Sequence, residues 1–208
     1  LLGKGDHEIT SSWPDRYGQD RQSTLGITCS NITFLGKGKD TTKILGGFAI
    51  VDFENITFKN MTVTNTGTRG CGILMRNAKV EIVDVALKGC NTHALFITRS
   101  TSRTTLVATR CEFANNYYGA VVNSRFSSAK FNNCVFHDNE EDGIYGSDYT
   151  VHLHGESTAI HSNGGYGILA SNSAKVTIHL PSHHNTTYNN RHGDRFTRDG
   201  GTITNVED

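Results

Sequence analysis

The sequence predicts an all-β solenoid of about seven coils, each of roughly 24 residues and three short strands, closed by a cap at either end. Three observations carry this. A unit restarts: Gly143-Ile144-Tyr145, Val151-His152-Leu153-His154 and Thr158-Ala159-Ile160-His161 close on Asn163-Gly164, and 24 residues after Gly143 the pattern resumes with Gly167-Ile168-Leu169 and Val176-Thr177-Ile178-His179. A tetrapeptide returns unchanged, Asn31-Ile32-Thr33-Phe34 as Asn55-Ile56-Thr57-Phe58. Within each short segment apolar and polar residues alternate, the mark of a strand with one buried face.

Residues 1–23, with Trp13, Pro14 and Tyr17, do not fit the repeat and read as an N-terminal cap. A solenoid needs one, because its end coil exposes apolar side chains and unpaired strand edges. Residues 24–190 carry the coils. First strands supply the inward pairs Leu25/Ile27, Phe48/Ile50, Ile73/Met75, Leu95/Ile97, Ala120/Val122, Ile144/Gly146 and Ile168/Ala170, their starts stepping by 23, 25, 22, 25, 24 and 24 residues. Second strands supply pairs such as Ile56/Phe58, Val80/Ile82 and Val151/Leu153, and third strands Met61/Val63, Val85/Leu87, Cys111/Phe113 and Cys134/Phe136. Thr62, Glu81, Glu112, Lys130 and His152 fall on the outward phase. Asn65, Asn91, Asn116, Asn139, Asn163 and Asn190 follow the third strands. Asparagine tolerates the left-handed conformation, and stacked turn amides can bond one another. Residues 191–208 read as a C-terminal cap and tail, with a last strand near Gly201 to Val206.

Formal charge is zero, with 20 basic and 20 acidic residues, which argues against a nucleic-acid binder relying on bulk positive charge. No apolar run approaches the ~20 residues of a membrane span. The chain begins at Leu1, as a processed product or one piece of a longer protein would. Four Asn-x-Ser/Thr sequons, at Asn31, Asn55, Asn60 and Asn185, lean toward a secreted route. Five cysteines cannot all pair within the chain. Cys111 and Cys134 fall at the same inward place in neighbouring coils and read as stacked reduced thiols, with a disulfide between coils as the alternative.

This organisation resembles the right-handed parallel β-helices of the pectate-lyase-like superfamily, over residues 24–190. The tail, Ile178-His179-Leu180-Pro181-Ser182-His183-His184-Asn185 and then Asp199-Gly200-Gly201-Thr202-Ile203, resembles a recurring ending of β-helix repeat proteins of algae and protists. The superfamily resemblance implies an outer groove along one sheet. If the chain is a lyase, hydrolase or epimerase, it also implies clustered carboxylates with an arginine or lysine base. Outward acids are instead scattered singly, at Glu81, Glu112 and Asp148. Of these Asp148 is a catalytic candidate, together with Arg76 and Arg99, which stand near the ends of successive first strands and also suit an anionic sugar.

Histidine is abundant, at ten residues. His137 and His161 share one outward position in adjacent coils, and His154 and His179 another. Paired imidazoles suit zinc, copper or nickel, or a surface that titrates with pH. Oxygen-rich Asp138, Glu140 and Asp142 crowd one turn and suit calcium. In each case an ordinary solvated surface is the plainer reading.

The outward residues of the first strands, Ala49, Leu74, Phe96, Val121, Tyr145 and Leu169, form a stripe that is apolar in every coil. A sheet apolar on both sides is normally covered on both, and an uncovered stripe marks an interaction site. Its cover is the N-terminal segment with Trp13 and Tyr17, a protein partner or second copy, or a polysaccharide stacking on Phe96 and Tyr145. The leading expectation is a non-catalytic structural or binding module. A polysaccharide-active enzyme and a histidine-based metal or pH-responsive surface are the alternatives.

Overall fold

The structure is a computed structural model that describes residues 1–15, 18–180 and 186–207. It is a right-handed parallel β-solenoid. One sheet stacks eight parallel strands in chain order: Thr24–Gly26, Gly47–Val51, Cys71–Arg76, His93–Ile97, Tyr118–Asn123, Ile144–Ser147, Tyr166–Ser171 and Gly193–Thr197. Leu25, Phe48, Ile73, Leu95, Ala120, Ile144 and Ile168 each pair with the next, so the positions read from the periodicity form a single row. The inward side chains of this row and of the other strands make one continuous core, in which Phe113 stacks on Phe136 at 4.4 Å and Phe34 on Phe58 at 5.0 Å.

Leu25 is the exception, being 38% exposed. It lies on the edge strand at the open end of the rod. Gly5–Glu8 pairs parallel with Thr42–Leu45, Leu2 and Ile9 pack against the core, and the hairpin of Trp13–Pro14 with Asp20–Arg21 lies on the outer face.

The second and third strands belong to one wrapped sheet of 14 strands. In two coils they run on as the single long strands Ile56–Thr64 and Lys79–Lys88. The corner between the two faces is turned by one left-handed residue per coil: Asn60, Asp84, Arg110 and Asn133, with φ of 56°, 53°, 53° and 51°. Asparagine and aspartate adopt this conformation at little cost because their short side chains can bond locally. Arg110 has no such help. Its guanidinium instead grips Asp84, one coil earlier, through Nε at 2.8 Å and Nη2 at 2.6 Å.

The asparagine turn is a buried ladder. Asn116 Nδ2 donates to Asn139 Oδ1 at 3.0 Å, Asn139 to Asn163 at 2.8 Å, and Asn163 to Asn190 at 2.8 Å. Two details differ from expectation. The left-handed residues of these turns are the preceding ones, Asn115, Asp138, Ser162 and Asn189, so the ladder asparagines serve as amides and not as turn formers. Asn91 is exposed, and Cys90 takes its place in the stack, its N–H donating to Asn116 Oδ1 at 2.9 Å. That substitution separates Asn65 from the ladder. Asn65 satisfies its amide on Ser23 and Cys71 carbonyls and the Gly67 N–H.

The two ends are built from parallel pairing. Gly193–Thr197 extends the first sheet beyond Tyr166–Ser171, and Thr202–Glu207 lies along Lys175–Leu180. Cys111 and Cys134 are buried free thiols whose Sγ atoms donate to the Ile82 and Ala108 carbonyls. No helix among the described residues is long and apolar enough to cross a membrane. Tyr17, His183, His184 and the sequon at Asn185 lie outside the described residues.

Candidate functional site

The outward residues of the first sheet stand in one row, Ala49, Leu74, Phe96, Val121, Tyr145 and Leu169, and the row runs on into Phe196. Ala49, Leu74, Val121 and Leu169 are buried, while Phe96 and Tyr145 are half-buried and Phe196 is exposed. At one end the row is covered from within the chain. Trp13 packs on Ala49, Cys71 and Leu74, with Val51 and Phe96 at the rim. The indole lies so close to the first strand that a Cβ on Gly26 would meet it at 2.7 Å, which fixes glycine there.

Between this hairpin and the sheet opens a cleft of about 320 Å³, lined by Trp13, Asp15, Gln19, Arg21, Val51, Arg69, Leu74, Arg76, Phe96 and Thr98. Three guanidinium groups face one carboxylate. Arg69 pairs with Asp15 at 3.7 Å, and Arg76 with Asp52, outside the lining, at 3.8 Å. Arg21 donates to the Arg69 carbonyl at 3.0 Å and to Cys71 Sγ at 3.2 Å. The Nε atoms of Arg21 and Arg76 are buried and have no hydrogen-bond partner among the described residues. Buried donors normally find an acceptor, which sets these two atoms apart from the other polar groups of the cleft.

A cysteine–histidine contact borders the cleft. Cys71 Sγ lies 3.6 Å from His93 Nδ1 and 3.3 Å from Thr92 Oγ1. Burial raises the Cys71 thiol, against the opposing pull of Arg21, and burial together with Arg21 lowers His93 to about 4. Both groups are therefore neutral near pH 7, the opposite of the thiolate–imidazolium pair that nucleophilic catalysis uses. His93 also stacks on Phe96 at 4.6 Å and on Tyr118 at 5.6 Å, and Tyr118 meets Tyr145 at 6.0 Å. Burial, helped by Glu141 and Asp142, lifts the Tyr118 phenol to about 12.

Arg21, Arg69, Cys71, His93 and Phe196 escaped the sequence reading. Cys71, His93 and Tyr118 sit at strand starts, each just before a residue that must be small. A Cβ at Gly72 would meet the Ala94 carbonyl at 2.6 Å, and one at Gly119 the Gly143 carbonyl at 2.4 Å. A bulky residue before each recurring Gly or Ala was the visible signal. Strict two-residue alternation hid it.

Arg99 and Asp148 share a separate open hollow with Arg125 and Phe126, and both are exposed. Arg76 lies in the other cleft, so the three catalytic candidates do not converge. Each of the two hollows has a single lining carboxylate, Asp15 or Asp148.

The acidic turn also separates. Asp138 turns to His137 at 2.7 Å, Asp142 accepts from the Tyr166 N–H at 2.6 Å, and Glu140 is exposed in the hollow with Tyr117. Burial raises the Asp142 carboxyl against that hydrogen bond.

His137 and His161 stack at 5.3 Å, as their spacing predicts, but His137 is engaged at both ring nitrogens by carboxylates. Its Nε2 lies 3.0 Å from Glu112, which also holds Lys88 at 2.7 Å. His154 and His179 stack at 3.9 Å, and His152 joins them through a 3.1 Å contact with His179.

Residues 46–207 match the family model described as a right-handed β-helix region, and the chain belongs to that family. Among solved structures, it is similar to the A-module of the Azotobacter vinelandii mannuronan C-5 epimerase AlgE6. The TM-score is 0.58 at 17% identity, over 85% of this chain and 53% of that one. The AlgE4 A-module of the same organism gives 0.47 at 14% identity, over 85% and 66%. The chain thus spans about half the length of the AlgE6 module, and the likeness is one of fold. No curated protein matches it.

Proposed function

We propose that this chain is a non-catalytic β-helix module that binds an acidic polysaccharide along the outer face of its first sheet, anchored in the cleft between Trp13 and Phe96. The observation that carries this is the lining of that cleft: two aromatic faces beside Arg21, Arg69 and Arg76, with Asp15 the lone carboxylate. Aromatic faces suit sugar rings, and guanidinium forks suit carboxylates.

The row beyond the cleft supports the same reading. Phe96, Tyr145 and Phe196 come from alternate strands of the first sheet, with Val121 and Leu169 between them. At ~4.8 Å per strand, aromatics on alternate strands stand roughly 9.6 Å apart, comparable to a disaccharide in an extended chain. A similarly folded module carries the name of a mannuronan epimerase. The proposal rests on the cleft and not on that name. An epimerase or lyase reading lacks support from the lining, which offers one carboxylate, and from the cysteine–histidine contact at its border, which is neutral.

Trp13 is the chain's single tryptophan, so its fluorescence reports on the cleft. Titration with uronic-acid oligosaccharides should change the emission saturably, and neutral oligosaccharides of equal length should not. Arg76→Ala should weaken binding about tenfold or more, since a hydrogen bond to a charged group is worth about 1.5–3 kcal/mol. No saturable change with either sugar class, together with a dimeric native mass that Phe96→Asp/Tyr145→Asp reduces to monomer, would assign the row to protein assembly instead.

A further inference from the structure

We propose that His152, His154 and His179 form a binding site for a divalent transition-metal ion of the zinc, copper and nickel group, on the outer face of the second strands. His152 and His154 are two residues apart on the strand Thr150–His154, so both side chains leave the same face. His179 lies on the next strand, Lys175–Leu180, one residue past Ile178, which pairs with Leu153. Register therefore places His179 against His154, and the imidazoles stack at 3.9 Å and 11°. His152 reaches across diagonally, its Nδ1 3.1 Å from His179 Nε2.

One ligand nitrogen from each of the three rings can be chosen so that all lie within 4.8 Å of one another. Zinc–nitrogen bonds of about 2.0–2.1 Å at tetrahedral angles put ligand nitrogens about 3.3 Å apart. The His152–His179 contact already has that spacing, and small side-chain rotations of half-buried rings bring in His154. Three imidazoles with no carboxylate select borderline metals over calcium, which takes oxygen ligands. A fourth position stays open to water or an added ligand.

The other histidine stack shows what is distinctive here. His137 is held between Glu112 and Asp138, so its nitrogens are engaged by anions. Among the described residues, His152 pairs with Lys130 and Thr177 on its flanking strands and meets the imidazoles of His154 and His179. The lysine opposes a cation, so the affinity comes from the ligand set and not from the local field.

The test uses the untagged, metal-free chain titrated with zinc chloride by calorimetry, and with cobalt(II) by visible absorption. One ion per chain is expected, with the cobalt spectrum of nitrogen and oxygen ligation. Replacing a second-shell partner already costs roughly 10–100-fold, so His152→Gln, His154→Gln and His179→Gln should each weaken binding at least about tenfold. His137→Gln in the other stack should leave it unchanged. Zinc should raise the melting temperature of the wild type and not of His179→Gln, because the ion ties two coils together. Circular dichroism would confirm that each variant is folded. An absence of saturable heat would overturn the proposal. So would indifference to any one of the three substitutions, or a thiolate-to-cobalt absorption band placing the ion on the exposed Cys29.

Discussion

Asparagines and histidines both stack along this rod, and comparing the two shows what decides the use of a repeated polar residue. Asn116, Asn139, Asn163 and Asn190 lie inside a turn, at most 8% exposed, and pass hydrogen bonds from coil to coil. His93 on Tyr118, His137 on His161 and His154 on His179 stack on the outer faces. One cause produces both: parallel strands in register put equivalent residues one strand spacing apart. Burial then separates them. An interior amide is satisfied by the next amide in the stack and by main-chain carbonyls around it. An outer imidazole takes its character from what the flanking strands supply: an arginine and aromatic rings around His93, carboxylates around His137, other imidazoles around His179.

The largest effect should come from breaking the interior ladder. Asn139→Ala takes the acceptor of the Asn116 N–H and the side-chain donor to the Phe113 carbonyl, while Asn116 Nδ2 keeps the Leu87 carbonyl. Two buried groups left unmade should cost about 4 kcal/mol, read as a fall in the urea unfolding midpoint. His161→Ala on the outside should cost no more than about 1 kcal/mol. Equal losses would erase the distinction between the two stacks.

Next in size is the acid response of His93, lowered from 6.5 to about 4. For a base whose folded pKa is depressed, the unfolded chain binds the proton first. The stability it contributes is therefore full above about pH 6.5 and is lost as pH falls toward 4, by roughly 3 kcal/mol. His93→Phe keeps a ring against Phe96 and Tyr118 and removes the titration. Stability measured from pH 7 to 4 should fall less steeply in the variant, since His152 and His161, also depressed by burial, remain to titrate. Parallel curves would show that His93 is not desolvated under Arg21.

The smallest effect belongs to Glu112. Burial works to raise its carboxyl, but Lys88 and His137 hold it below the usual range. Its contribution is present above the unfolded carboxylate pKa of about 4.3 and disappears as pH falls through the folded value. The pair is partly exposed and screened. Glu112→Gln should therefore be slightly less stable than wild type at pH 7, and the difference should shrink as the carboxyl is protonated in acid.

The solenoid was legible because its evidence is local and repeated. Phe48, Ile73, Leu95 and Ala120 could be aligned by counting, and the sheet pairs those residues in that register. The apolar row through Leu74, Phe96 and Tyr145 was legible for the same reason. Reading failed where the repeat was broken or where no repeat existed. Asn91 sat one residue from the buried position that Cys90 fills. Leu25 had the right phase but no coil in front of it.

The sequence alone thus determined the coil, its register and which side chains face out, because strand alternation and a fixed repeat length are properties of neighbouring residues. Only tertiary structure decided which outward residues at non-equivalent positions meet. Trp13 and Arg21 come from a hairpin outside the repeat, and Arg21 reaches the Arg69 carbonyl 48 residues away. His152 joins His179 across a 27-residue interval that differs from the coil repeat, through a diagonal set by strand register and side-chain rotamer. Such contacts between non-equivalent positions leave no period behind, and the cleft and the imidazole trio are both built from them.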